Sequence, residues 1–99
     1  MDQEKVIEVA KNYKRIIQKY IHPQKVILFG SYVSGTPRLD SDIDIAILVD
    51  HLETDWLSMA SLLHKLTVKV DVRIEPLLLE EKNDASGFAT HIVNTGIEI

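Results

Sequence analysis

Asp42 and Asp44 stand one residue apart at the head of an apolar run, Ile45-Ala46-Ile47-Leu48-Val49. Side chains on a strand alternate between its faces, so both carboxylates share one face and Ile43 takes the other. Paired carboxylates are hard oxygen donors of the kind that hold Mg²⁺, an ion usually bound by one or two carboxylates together with substrate phosphates. A third acid, Asp71, lies in a strand-like run over residues 68–74, and it closes the cluster if that run pairs beside the first. Glu75 is a rival for the same place. Two ions about 3.5–4 Å apart on such a site activate an attacking oxygen and stabilise a leaving one. Without a cation three neighbouring carboxylates repel, so at least one should bind its proton more tightly than usual.

A second cluster precedes the first. Gly30-Ser31 follows the apolar run Val26-Ile27-Leu28-Phe29, and ten residues separate Ser31 from Asp42. Glycine permits backbone torsions that other residues avoid and lets a phosphate approach the main chain. The Ser31 hydroxyl can donate to a phosphate oxygen. Arg38, in the intervening loop, has the planar fork that pairs with polyphosphate. Carboxylates on strands beside a glycine turn describe a divalent-metal site that handles a nucleoside triphosphate.

The elements that must position these residues follow from periodicity. Residues 3–20 carry Val6, Ile7, Ala10, Tyr13, Ile16, Ile17 and Tyr20 at helical spacing, stopped by Pro23. A strand over Lys25–Phe29, a short helix over Ser31–Ser34 and a loop over 35–41 lead to a strand over Ile43–Val49, whose unbroken apolar run suits cover on both faces. Thr54 or Glu53 is the expected cap of a helix over Asp55–Leu66. A strand over Val68–Ile74 is expected to end at Pro76, followed by a helical turn over Leu77–Glu81, a loop over Asn83–Gly87 and a helix over Phe88–Asn94. Ile97-Glu98-Ile99 is too short to assign. This order predicts an α/β (α+β) fold, a small mixed sheet with helices packed mainly on one face and the carboxylate edge open.

Composition narrows the functions. Ninety-nine residues, 45% hydrophobic and 26% charged, suit one globular domain spanning 1–99. There is no cysteine, hence no disulfide or thiolate metal site. A formal net charge of −4 disfavours long nucleic acid, whose partners carry basic faces. No apolar run reaches the ~20 residues of a membrane span, and the N-terminus lacks the pattern of a signal peptide, so a cytoplasmic location is expected. His22, His51, His64 and His91 are scattered; only His51, just after the second strand, is a candidate for nearness to the site.

The Gly30-Ser31 pair, the ten-residue spacer, Asp42-x-Asp44 and the later acid resemble the signature of the DNA polymerase β-type nucleotidyltransferases. The closest likeness is to the minimal nucleotidyltransferase (MNT) branch, the MntA-like antitoxins of HEPN/MNT pairs, over roughly residues 5–99. The resemblance implies a polymerase β-like core. It implies that Asp42, Asp44 and Asp71 are the catalytic metal ligands and that Gly30 and Ser31 bind nucleotide phosphates. It implies Mg²⁺, two ions, with Mn²⁺ as the alternative, and ATP or another nucleoside triphosphate as substrate. The implied reaction moves a nucleoside monophosphate to a hydroxyl, in this branch a tyrosine of a HEPN-domain toxin. Larger relatives use extra domains to hold the acceptor; this sequence has no room for one, so the acceptor comes from a partner protein, a homodimer cleft or a small molecule. Two alternatives stay open: an antitoxin that acts by binding alone, and a small-molecule nucleotidyltransferase.

Overall fold

The first helix forms because its apolar residues fall on one stripe and its start is capped. Val6, Ala10, Tyr13 and Ile17 are buried along α1 (Gln3–Ile17), and the Asp2 carboxylate accepts from the Lys5 N–H at 2.9 Å. A computed structural model describes residues 2–35, 41–52 and 54–99. Within them β1 (Lys25–Phe29) leads into α2 (Ser31–Ser34), and β2 (Ile43–Val49) is the next element. The next helix, α3 (Trp56–Leu66), is capped by Asp55, whose carboxylate accepts from the Ser58 N–H at 2.9 Å. Asp55 therefore fills the place expected of Thr54 or Glu53; Glu53 lies outside the described residues. β3 (Ile74–Glu80), α4 (Phe88–Thr95) and β4 (Ile97–Glu98) complete the chain. No described helix is long and apolar enough to cross a membrane.

The four strands form one mixed sheet in the order β3-β2-β1-β4. β1 runs antiparallel to β2 and β4, while β2 and β3 are parallel. Central β2 is apolar on both faces because both are covered. Ile43, Ile45, Ile47 and Val49 join the main core with α1 and α3, and the Tyr13 hydroxyl ties those helices by donating to the Leu63 carbonyl at 2.7 Å. Ala46 and Leu48 meet Ile27 from β1 and Ala89 and Ile92 from α4 on the other face. Gly96 lets α4 turn into β4 against β1, since a Cβ there would lie 2.4 Å from Ile27 Cγ2 and 2.8 Å from the Leu28 carbonyl oxygen.

The expected strand over 68–74 does not form. Thr67 extends α3 instead: its hydroxyl donates to the His64 carbonyl at 2.7 Å, and its own carbonyl accepts from the Val70 and Asp71 N–H groups. A 3₁₀ turn occupies Thr67–Lys69. Val68 and Val72, which mimic a strand alternation, are 70% and 73% exposed, so burial does not enforce one. The real strand starts at Ile74 and runs through Pro76, where a stop and then a helical turn were expected. Proline is tolerated because β3 is an edge strand, and its missing N–H removes no central ladder bond.

Candidate functional site

The acidic cluster is set by strand register. Asp44 lies opposite Phe29 on β1 and Glu75 on β3. Paired residues in neighbouring strands share a face about 4.8 Å apart, so Glu75 stands beside Asp44. That face also carries Ala46 and Leu48, which α4 covers. The cover does not reach the start of β2, where Asp44 is half-buried and Asp42 exposed. Burial, reinforced by the carboxylates of Asp42 and Glu75, pushes the Asp44 carboxyl above the usual carboxylate range. Among the described residues no three acidic or histidine side chains are already gathered as ligands around one point. The carboxylates instead share a sheet face and repel.

Asp71 is not among them. It sits in the turn before β3, where one oxygen accepts from the Arg73 backbone N–H at 2.9 Å and Nε at 3.0 Å, and the other from Nη2 at 2.7 Å. The Arg73 guanidinium beside it holds its carboxyl below the usual range. Its lone pairs are thus already engaged in closing a turn. Asp71 was expected on a strand beside the aspartate pair; the strand begins later, and the rival Glu75 occupies the register position next to Asp44.

Gly30 is fixed by its neighbours. Its φ of +83° and ψ of −152° belong to glycine alone among common conformations. A Cβ on Gly30 would lie 2.2 Å from Asp44 Oδ2, so the turn and the carboxylate are packed against each other. The Gly30 carbonyl then accepts from the Val33 and Ser34 N–H groups and starts α2 with Ser31 as its first residue. The Ser31 side chain makes no hydrogen bond among the described residues, while its carbonyl accepts from the Ser34 hydroxyl at 3.3 Å. Arg38 lies outside the described residues. His51 is at the far end of β2, in a cleft with Tyr20, Ile21 and Val49, away from the acids.

A feature with no strong sequence signal adjoins this turn. A cavity of about 570 Å³ is bounded by Phe29, Gly30, Ser31 and Val33 on one side and by Phe88, His91 and Thr95 of α4 on the other. Phe88 and His91 are spaced one turn apart on a helix that the sequence marks only as a packing element; their meeting with Gly30 depends on the tertiary fold.

Comparison with known proteins agrees with the fold. The family described as "Polymerase beta, Nucleotidyltransferase" matches residues 4–99. A Methanocaldococcus jannaschii protein, named as a candidate protein adenylyltransferase, is 30% identical over 98 residues, covering 95% of this chain and 98% of the relative. Among solved structures, a candidate nucleotidyltransferase from Sulfolobus solfataricus superposes with a TM-score of 0.68 at 16% identity, over 97% of this chain and 80% of its own. A toxin–antitoxin structure with AMP-PNP gives a TM-score of 0.61 at 25% identity, over 99% of this chain and 72% of its own.

Proposed function

The chain belongs to the polymerase β-type nucleotidyltransferase family, and from that premise we propose that it transfers AMP from ATP to a hydroxyl of a partner protein, a tyrosine of a HEPN-type toxin, and so acts as an antitoxin. The observation that carries the proposal is Asp44, pressed against Gly30 and flanked by Asp42 and Glu75 with its carboxyl proton held unusually tightly. The named activity of the M. jannaschii relative supports transfer to a protein. The toxin–antitoxin neighbour with AMP-PNP supports both an adenine nucleotide and a partner toxin.

The residues fit a divalent cation. Asp42, Asp44 and Glu75 offer hard oxygen donors whose mutual repulsion a positive ion would relieve. Asp42 and Asp44 would hold Mg²⁺, one ion or two, with Glu75 in the third place expected of Asp71. Bound there, the metal supplies charge neutralisation to the triphosphate. Gly30 admits the phosphates to the main chain, the Ser31 hydroxyl donates to them, and Arg38 adds its guanidinium. In the reaction the acceptor oxygen bonds to the α-phosphorus, the bond to the β-phosphate oxygen breaks, pyrophosphate leaves, and Glu75 takes the hydroxyl proton. Most of the acceleration is then positioning and charge stabilisation.

Intact-mass measurement tests this. Proteins captured from the native lysate, or a co-expressed toxin, are incubated with ATP and Mg²⁺ and each variant. Wild type and Asp71→Asn should add AMP to the acceptor, whereas Asp42→Asn/Asp44→Asn and Glu75→Gln should not. An adduct with every variant would refute the assigned carboxylates. A stable complex with no adduct even from wild type would replace catalysis by neutralisation through contact.

A further inference from the structure

We propose that the cavity between β1 and α4 seats the nucleoside of the triphosphate, with the base against Phe88 and its polar edge toward His91. This rests on the nucleotidyltransferase function proposed above and names a subsite for it. The cavity, about 570 Å³, lies within the roughly 300–1,000 Å³ of small-molecule sites. It touches Gly30 and Ser31, so a ligand there continues into the phosphate turn. Among the described residues no Asp, Glu, Lys or Arg lines it. The part of the ligand it takes is therefore neutral, while the charged part belongs with the acids and their cation.

Its walls are aromatic and its rim is polar. Phe29 and Phe88 meet edge to face with centroids 6.4 Å apart, an arrangement that fixes Phe88 while leaving it 43% exposed. An exposed aromatic held in one orientation is a stacking surface for a base. His91 and Thr95 are one helical turn apart on α4 and both line the cavity. The two ring nitrogens of an imidazole can hydrogen-bond the polar edge of a base. The Thr95 hydroxyl donates to the His91 carbonyl at 2.8 Å and keeps its lone pairs to accept.

Topology separates this seat from that of the acceptor. In-line displacement requires the attacking oxygen to approach opposite the leaving pyrophosphate. With pyrophosphate at Gly30-Ser31, that direction is the β3 side, where Glu75 stands. The cavity lies on the other side of Asp44, over β1, because the strand order is β3-β2-β1-β4. A neutral aromatic group bound there is consequently part of the donor nucleotide.

Titration calorimetry with two probes, Mg²⁺-ATP and Mg²⁺-tripolyphosphate, tests the assignment. Phe88→Ala and His91→Ala should each weaken ATP, Phe88→Ala by about tenfold or more, and leave tripolyphosphate binding unchanged. In wild-type protein, NMR signals of Phe88 and His91 should move with ATP and stay still with tripolyphosphate, which makes the test independent of variant folding. Equal effects of a variant on both probes, or ATP shifts that bypass α4, would overturn the subsite. If wild type binds tripolyphosphate with Mg²⁺ as tightly as ATP, the nucleoside seat fails while the metal site stands. If it binds neither, both fail.

Discussion

Replacing Gly30 by alanine should injure the fold and the acidic site together, through two separable causes. The first is torsional. At φ +83° and ψ −152° an alanine enters a region that only glycine occupies readily, at a cost of about 1–3 kcal/mol. The second is contact. The new methyl group would stand 2.2 Å from Asp44 Oδ2 and 3.1 Å from its Cγ, so the carboxylate must leave its position or the turn must open. Coupling between touching residues is typically about 0.5–3 kcal/mol. Together they come to about 1.5–6 kcal/mol. At about 4–8 °C per kcal/mol for a domain of this size, the midpoint should fall by roughly 6–48 °C.

Thermal and urea denaturation of wild type, Gly30→Ala, Asp44→Ala and the double variant, all in EDTA, form a cycle that separates the causes. Asp44→Ala removes Oδ2 and Cγ but leaves the torsion of residue 30 untouched. Gly30→Ala should therefore cost less in the Asp44→Ala background, by the coupling energy, and the remainder should match the torsional cost alone. Any electrostatic gain from deleting Asp44 appears on both sides of the cycle and cancels. Losses that add within about 0.5 kcal/mol would mean the two residues do not touch. A loss below about 1 kcal/mol for Gly30→Ala itself would mean the turn does not need its glycine torsion.

Three further outcomes are expected. In metal-free protein Asp44→Asn should stabilise the fold at neutral pH by about 0.5–1 kcal/mol, the scale of like charges directly opposed across a sheet. Because the Asp44 carboxyl is raised in the folded state, its penalty is absent below the unfolded carboxylate pKa and grows as pH rises through the folded value; a gain independent of pH would contradict this. Asp71→Asn should behave oppositely: a lowered carboxyl stabilises above the unfolded pKa and loses that effect as pH falls through its folded value, so the variant should melt a few degrees lower at neutral pH and match wild type in acid. Tyr13→Phe, which deletes the 2.7 Å bond to the Leu63 carbonyl between α1 and α3, should cost about 1 kcal/mol, read as a midpoint shift in urea with an unchanged slope.

The aspartate pair and the glycine turn were legible in the sequence because short-range rules decide them. A two-residue spacing at the head of an apolar run puts Asp42 and Asp44 on one face wherever the strand lies, and Gly30-Ser31 after Val26–Phe29 marks a strand end. The turn before β3 was misread because Val68, Val70 and Val72 alternate with charged residues as an edge strand would. The outcome there depended on the Thr67 hydroxyl and carbonyl closing the end of α3, an interaction that competes with strand formation and leaves no periodic trace. Phe88 and His91 gave no warning at all, since nothing in the spacing of α4 says which sheet edge it will overhang.

The third carboxylate separates the two kinds of information most clearly. Asp71 and Glu75 have the same parity, so alternation alone cannot choose between them for a place on the Asp44 face. Register chooses. The Ile43 N–H bonds the Arg73 carbonyl at 2.9 Å, and Ile43 pairs with Ile74. A slip of one residue would carry Glu75 to the opposite face and bring Ile74, 1% exposed and part of the main core, out toward water. The burial of Ile74 thus holds Glu75 beside Asp44. Asp71, three residues before Ile74, falls beyond the end of the ladder, where its carboxylate binds Arg73. Two parallel strands separated by a helix acquire such a register only when the core closes, which is why a rival that the sequence could name was one it could not choose.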